Sequence, residues 1–257
     1  MRKFAVVTGA SSGIGLEIAK LAANDGYDLL VAADTPFVDA AAGLNDLEVE
    51  VRQIECDLST EQGVKQLLDA AHGREIDVLV ANAGQSHGGA FLDQSVDSWV
   101  RTIDTNITGT LRLIQPVLRA MVARNEGRVL ITGSIAGHVP GPFNATYNAT
   151  KAFIDNFAAA ISNELKDGEV TVTCLKPGAT ETEFFARAGM EDTKVGQAKK
   201  ADPADVAKTG WNAMLKGETT VVHGLMNKAT VMASGLVSEA VTAEAHRKMA
   251  EPGSAEK

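Results

Sequence analysis

The sequence predicts an α/β protein, a single domain on a doubly wound, seven-stranded parallel sheet. Short β-rich runs recur along the chain with longer segments of helical period between them, which is the pattern of βαβ units. The composition is that of an ordinary globular chain, with 45% hydrophobic, 22% charged and 5% aromatic residues, and it sets aside disordered and fibrous classes. At 257 residues the chain can bury a large core yet lies near the size at which chains begin to split, so one domain with loop insertions is expected.

Strands are expected at Phe4–Val7, Asp28–Ala32, Glu50–Ile54, Val78–Ala81, Arg128–Ile131, Val170–Leu175 and Thr219–Val222. Helices are expected at Gly15–Asn24, Val38–Leu44, Glu61–His72, Ser95–Arg124, Thr146–Lys166 and Pro203–Lys216, and they supply the cover that inner strands need on both faces. These elements make up residues 1–225. From Glu181 to Lys200, Phe184, Phe185, Met190, two glycines and several charges mix without a clean period, so 181–200 reads as a mobile substrate lid. Residues 226–257 form a C-terminal extension whose end, from Glu251, is expected to fray.

Charge and cysteine usage exclude several classes. Lys and Arg number 24 against 33 Asp and Glu, for a net charge of −9, and no Lys/Arg-dense stripe offers the footprint that nucleic acid or an anionic membrane demands. Two cysteines, Cys56 and Cys174, make no disulfide framework. The apolar run Phe4–Val7 is too short for a secretory segment, and no run approaches the roughly 18 residues of a membrane span, so the expected compartment is the cytoplasm. The five histidines show no metal-ligand spacing, and no metal is expected.

The first strand runs into Thr8-Gly9-Ala10-Ser11-Ser12-Gly13-Ile14-Gly15 and then into an Ala/Leu/Ile-rich helix. Glycines there allow a tight turn and let backbone N–H groups meet a pyrophosphate at the positive end of a helix, which makes Gly9, Ser11, Ser12, Gly13, Ile14 and Gly15 a candidate dinucleotide cradle. Asp34, at the end of the second strand, can accept from both adenosine ribose hydroxyls while its charge repels a 2′-phosphate, so NAD is expected over NADP.

Tyr147, one of only two tyrosines, has Lys151 four residues on, which on a helix puts both on one face. A phenol is a poor base near neutrality, and a neighbouring ammonium favours its ionised form. Ser134 follows the fifth strand at the carboxyl end, where α/β sheets place ligands, and its hydroxyl can hold a substrate carbonyl. Asn106 offers a mid-helix amide that needs a buried partner and could hold a water beside Lys151. Gln85, His138, Val139, Phe143, Phe184, Phe185 and Met190 are the candidate pocket residues. They are mostly apolar, so the expected substrate is an uncharged, moderately hydrophobic alcohol or ketone, with a 3-oxoacyl thioester as a further option.

The glycine turn, Asn82-Ala83-Gly84, Asn106, Ser134, Tyr147/Lys151 and Pro177-Gly178 stand in an order and spacing that resembles the short-chain dehydrogenase/reductase family over roughly residues 4–224. The resemblance implies a Rossmann fold in which Tyr147 is the acid/base, Ser134 orients the substrate, Lys151 lowers the phenol pKa and holds the nicotinamide ribose, and Asn106 completes a water-linked proton relay. It implies further that Asp57, with Leu58, meets adenine, that Asn82, Ala83 and Gly84 brace the cofactor pocket, and that Pro177, Gly178, Thr180 and Thr182 lead to the carboxamide. Where relatives that use NADP often carry a basic residue, this chain has Ser12 and Asp34. The expected function is interconversion of a secondary alcohol and a ketone with NAD, in a homodimer or homotetramer. The alternative is a catalytically silent dinucleotide-binding sensor or scaffold.

Overall fold

The structure, a computed structural model, describes residues 2–37, 43–44 and 48–256. The helix expected at Val38–Leu44 lies outside them except for its last two residues. The seven expected strands are present as β1 (Phe4–Thr8), β2 (Asp28–Ala33), β3 (Val51–Glu55), β4 (Val78–Ala81), β5 (Arg128–Thr132), β6 (Thr171–Lys176) and β7 (Thr220–Val222). They pair in the order β3-β2-β1-β4-β5-β6-β7, every pair parallel, with Val6 opposite both Leu30 and Leu79. The order reverses between β1 and β4, which opens a crevice at the carboxyl ends of those strands.

Because successive residues of a strand point to opposite faces, each inner strand feeds two cores. On one face Phe4, Val6, Leu30, Leu79, Val129 and Ile131 pack with the helices α2 (Glu61–Ala71), α4 (Thr110–Arg124) and α5 (Ala145–Glu164) through Leu67, Leu113, Met121 and Ile154. On the other, Ala5, Val7, Val31, Val80 and Leu130 meet α1 (Gly13–Asn24) and α8 (Pro203–Leu215) through Ile18, Ala22, Val206 and Trp211. Each large side chain so buried contributes about 1.5–3 kcal/mol. Caps set helix starts where the sequence offers them: Thr60 accepts from Gly63 N at 2.9 Å, and Asp202 accepts from Ala204 N at 2.8 Å ahead of Pro203.

The helix expected over Ser95–Arg124 is interrupted. It comprises α3 (Val96–Ile103), a π turn at Asp104–Gly109, and α4. Thr110 Oγ1 donates to the Thr105 carbonyl at 3.3 Å, and a Cβ on Gly109 would lie 1.9 Å from the Leu58 carbonyl oxygen. The extra residue of the π turn presses the helix backbone onto the loop after β3 and turns Asn106 inward.

Segment 181–200 contains two single-turn helices, α6 (Phe184–Arg187) and α7 (Lys194–Gln197), with Phe185, Met190 and Thr193 buried. The chain beyond β7 forms α9 (Leu225–Ser234) and α10 (Glu239–Ala250). Its end, expected to fray, is hydrogen-bonded to that segment in the structure: Gly253 N donates to Asp192 Oδ2 at 2.7 Å, Ala255 N to the Asp192 carbonyl at 3.0 Å, and Lys194 N to the buried Ser254 Oγ at 2.9 Å. No helix among the described residues is long and apolar enough to cross a membrane.

Gly109→Ala should destabilise the protein by about 1–3 kcal/mol, since neither the Leu58 carbonyl nor the helix can move freely. Urea unfolding reads this directly, and an unchanged midpoint would show that the π turn has slack.

Candidate active site

At the crevice, β1 ends in a turn that only glycine fits. Gly9 and Gly13 have φ of +63° and +55°, and a Cβ on Gly15 would lie 2.2 Å from the Gly9 carbonyl oxygen. The first turn of α1 has neither a side-chain cap nor an acid, so its N–H groups and positive dipole end are left for an anion. Thr8 and Asn82 lock the turn to the sheet. Thr8 Oγ1 accepts from the backbone N–H groups of Asn82 and Ala83, each at 3.0 Å, and donates to the Val80 carbonyl at 3.2 Å. Asn82 Nδ2 donates to the carbonyls of Thr8 and Gly9 at 3.1 and 3.2 Å, while its Oδ1 accepts from Thr132 Oγ1 on β5 at 3.0 Å.

Further along the crevice, Asp34 and Asp57 stand on either side of Arg101 from α3, with Arg101 Nη1 2.9 Å from Asp57 and Nη2 3.4 Å from Asp34. Burial raises the Asp57 carboxyl, but the two Ser59 hydrogen bonds and Arg101 outweigh it and leave the group below the usual carboxylate range. Arg101 escapes the sequence reading, because an arginine on an amphipathic helix looks like any solvated residue. Ser11 Oγ is 3.0 Å from Thr35 Oγ1 beside Asp34.

On the opposite wall, α5 carries Tyr147 and Lys151. The buried Lys151 Nζ donates to the Thr132 carbonyl at 2.8 Å and lies 5.7 Å from the Tyr147 ring centre. Burial pushes the Tyr147 phenol up to about 12, against a lowering hydrogen bond with Ser134, and the Asp155 carboxylate adds to the rise. Burial likewise holds the Lys151 ammonium below its ordinary value, opposed by Asp155. In the protein by itself desolvation therefore dominates the phenol. Ser134 caps the short turn Ile135–His138 by accepting from Ala136 N at 3.1 Å, and Gly133 before it leaves room for Asp155, whose Oδ1 would lie 2.0 Å from any Cβ there.

Asn106 is fully engaged, but not with Lys151. Its Oδ1 accepts from Gln85 N, and its Nδ2 donates to the Gln85 carbonyl and to Thr150 Oγ1, all at 2.9 Å. Thr150 Oγ1 in turn donates to the Tyr147 carbonyl at 2.7 Å, so the amide ties the loop after β4 to the turn of α5 that bears the tyrosine. Both Asn106 Oδ1 and Lys151 Nζ border Gly84, at 3.2 and 3.5 Å from where its Cβ would be.

One cavity of about 820 Å³ joins these features. Gly9, Ser11, Ser12, Gly13 and Ile14 line it at one end with Asp34, Asp57 and Leu58, while Asn82, Ala83, Gly84 and Gln85 form its middle. Ser134, Tyr147, Lys151 and His138 line the far part, beside Pro177, Gly178, Thr180, Thr182, Phe184 and Phe185. Thr182 closes against the glycine turn, its Cγ2 2.6 Å from the Gly13 Cβ position, and the Phe184 ring centre is 5.1 Å from that of Tyr147. Gly15 and Asn106 sit behind the wall as supports. Phe143, expected in the pocket, does not line it either: it packs beside Phe185 and Met190 with the Arg247 guanidinium 5.0 Å over its ring. Residues of α9 and α10, among them Val231 and His246, complete the wall, and their only sequence signal was apolar stretches alternating with Ser and Gly.

The short chain dehydrogenase family model matches residues 3–193. The chain belongs to the short-chain dehydrogenase family. An uncharacterised oxidoreductase of Staphylococcus epidermidis is similar to it at 32% identity over 232 residues, which is 89% of this chain and 96% of that protein. A short-chain dehydrogenase of Sphingobium yanoikuyae, solved in complex with NADPH, superimposes with a TM-score of 0.80 at 27% identity, over 91% of this chain and 94% of that one. A family member from Burkholderia phymatum, solved with NAD, shares the fold with a TM-score of 0.81 at 24% identity, over 90% and 92% of the two chains. The protein is thus an oxidoreductase of this family with its Rossmann fold.

Asn82→Ala removes three side-chain hydrogen bonds that tie β4 to the glycine turn and to β5 and should cost about 1–3 kcal/mol, because the freed polar groups are only partly wetted. A thermal melt would show a fall of several degrees, whereas an unshifted melt would mean that Thr8 alone holds the turn.

Proposed function

We propose that the protein interconverts a secondary alcohol and a ketone with a nicotinamide dinucleotide, NAD in preference to NADP, and that Tyr147 exchanges the proton. The observation that carries this reading is that Tyr147 and Ser134 line the same cavity as an uncapped, glycine-built helix N-terminus. The residues present fit a dinucleotide. The turn from Gly9 to Gly15 has the backbone donors for a pyrophosphate, and of the other lining residues Asp34 would accept from the adenosine ribose, Asp57 and Leu58 would meet adenine, and Lys151 would hold the nicotinamide ribose. When bound, the nicotinamide supplies or takes up the hydride.

The side chains do the rest. Ser134 holds the carbonyl oxygen, and the Tyr147 phenol hands its proton to that oxygen as it gains charge, or removes the proton in the alcohol direction. A phenol pushed up to about 12 is protonated at neutral pH and ready to act as the acid. The positive charge of an oxidised nicotinamide, with the Lys151 ammonium, favours the phenolate needed for oxidation. Asn106, through Thr150, fixes the helical turn on which the phenol stands. The charges beyond the nicotinamide end, Glu183 and Arg187, are paired with each other, which suits an uncharged substrate. A silent sensor would gain nothing from this arrangement.

Tyr147→Phe should lower turnover by about 100- to 10,000-fold while dinucleotide binding persists. Near-normal turnover of the variant in a coupled absorbance assay would defeat the role of Tyr147, whereas dinucleotide binding without turnover in the unaltered protein would favour the sensor. The raised phenol also sets opposite pH slopes. Below its pKa the proton is in place, so reduction should hold through neutrality and fall in alkali, whereas oxidation should climb with pH; parallel profiles would count against Tyr147. For the cofactor, NAD should be used more efficiently than NADP. Asp34→Ala should reverse or flatten that preference, since it removes a repelling carboxylate and releases the Nη2 arm of Arg101, still held by Asp57 through Nη1, toward a 2′-phosphate; equal use of both by the unaltered protein would refute the role of Asp34.

A further inference from the structure

The C-terminal extension puts on the cavity wall one ionisable side chain that this mechanism leaves without a task. His246 stands on α10, and its Nδ1 lies 3.2 Å from the Pro142 carbonyl oxygen. A carbonyl only accepts, so the ring proton is on Nδ1, and Nε2 on the opposite edge is a lone-pair acceptor. Burial pushes the imidazole below its ordinary value, against the Pro142 bond, which keeps the ring neutral and that lone pair available. Nε2 has no protein partner among the described residues.

The carbonyl that holds the ring is itself firmly placed. The next residue, Phe143, has φ of +63°, a left-handed conformation that a bulky side chain keeps only where its surroundings impose it. Gly89 N donates to the Phe143 carbonyl at 2.9 Å, and Arg247, next to His246, covers the Phe143 ring. The imidazole is therefore a positioned group rather than a free surface histidine.

A second imidazole on the same cavity has the opposite polarity. Lys176 Nζ is 3.1 Å from His138 Nε2 and 3.2 Å from the buried Asp155 carboxylate. An ammonium only donates, so His138 Nε2 accepts and its Nδ1 bears the proton as a donor. The wall beside these two polar points carries Phe184, Val231, Val237 and Met249, and its hydroxyls, Thr230, Ser234 and Thr242, are spent on backbone carbonyls of their own segment. A neutral acceptor and a neutral donor in an apolar cavity match a hydroxyl, which can give one hydrogen bond and take the other.

We propose that His246 is a specificity-determining residue whose Nε2 accepts a hydrogen bond from a hydroxyl remote from the reacting carbon, so that the substrates are apolar ketones bearing such a hydroxyl and the corresponding diols. The proposal rests on the alcohol/ketone reading of the same cavity and narrows it to one substrate class. Because an unmet buried acceptor disfavours the analogue that lacks the hydroxyl, discrimination of about tenfold or more is expected.

The test uses the full chain with NADH and a matched pair of probes, para-hydroxyphenyl cyclohexanone and phenyl cyclohexanone. Both binding to the enzyme–dinucleotide complex, by calorimetry, and turnover are measured. The unaltered protein should favour the hydroxylated ketone about tenfold, chiefly through KM. His246→Phe should abolish that preference, so that the two ketones are handled alike, and His246→Gln, which restores an acceptor, should recover part of it. Equal handling of the two ketones by the unaltered protein, absence of binding by both, or an equal loss for both in His246→Phe would overturn the assignment. Discrimination in binding without turnover would uphold the role of His246 and count against the proposed reaction instead.

Discussion

The hydrogen bonds of Thr8 and Asn82 set the spacing on which the whole site depends. In a parallel sheet whose order reverses between β1 and β4, the two strand ends splay, and nothing in the ladder itself fixes how far. Thr8 Oγ1 closes that gap from β1 by accepting two β4-side amides, and Asn82 closes it from β4 by reaching back to two carbonyls of the glycine turn and across to β5. The glycine turn is thus held as a rigid piece of the sheet, and a Cβ on Gly9 or Gly15 would collide with this same clamp.

A second tie carries that spacing to the reacting groups. Asn106 bonds both backbone groups of Gln85, three residues beyond Asn82, and through Thr150 the backbone of Tyr147. The π turn makes this possible, since a regular helix would rotate the amide away from the crevice. Lys151 anchors on the Thr132 carbonyl, the residue whose hydroxyl meets Asn82. The glycine turn and the helical turn that bears Tyr147 and Lys151 are therefore parts of one hydrogen-bonded frame, and a change in either is felt by both.

The layout of strands was legible in the sequence because buried parallel strands are short apolar runs with helices between, and the glycine turn because its position after β1 leaves little else for three glycines to do. Tyr147, Lys151 and Ser134 could be read from helical spacing and strand-end placement. What escaped was whatever depends on contacts between distant segments. Arg101 meets Asp34 across 67 positions, the π turn packs its Gly109 against the Leu58 carbonyl, and Asn106 bonds the backbone of Gln85 and the hydroxyl of Thr150. Phe143 was misplaced because nothing local announces its left-handed backbone, and His246 because its extension lacks a strong period.

The chemistry turns on whether the frame can bring a phenol pushed up to about 12 into a working range, and the chain's two tyrosines allow that to be seen directly. In a Tyr27→Phe protein, Tyr147 is the only tyrosine left, so its phenolate absorbance can be titrated with and without NAD. The free protein should show no phenolate until strongly alkaline pH, and NAD, by its positive nicotinamide, should draw the transition down toward neutrality. A Tyr147 titration that NAD leaves in place would contradict the account, because the proposed acid/base group would then be blind to the proposed cofactor.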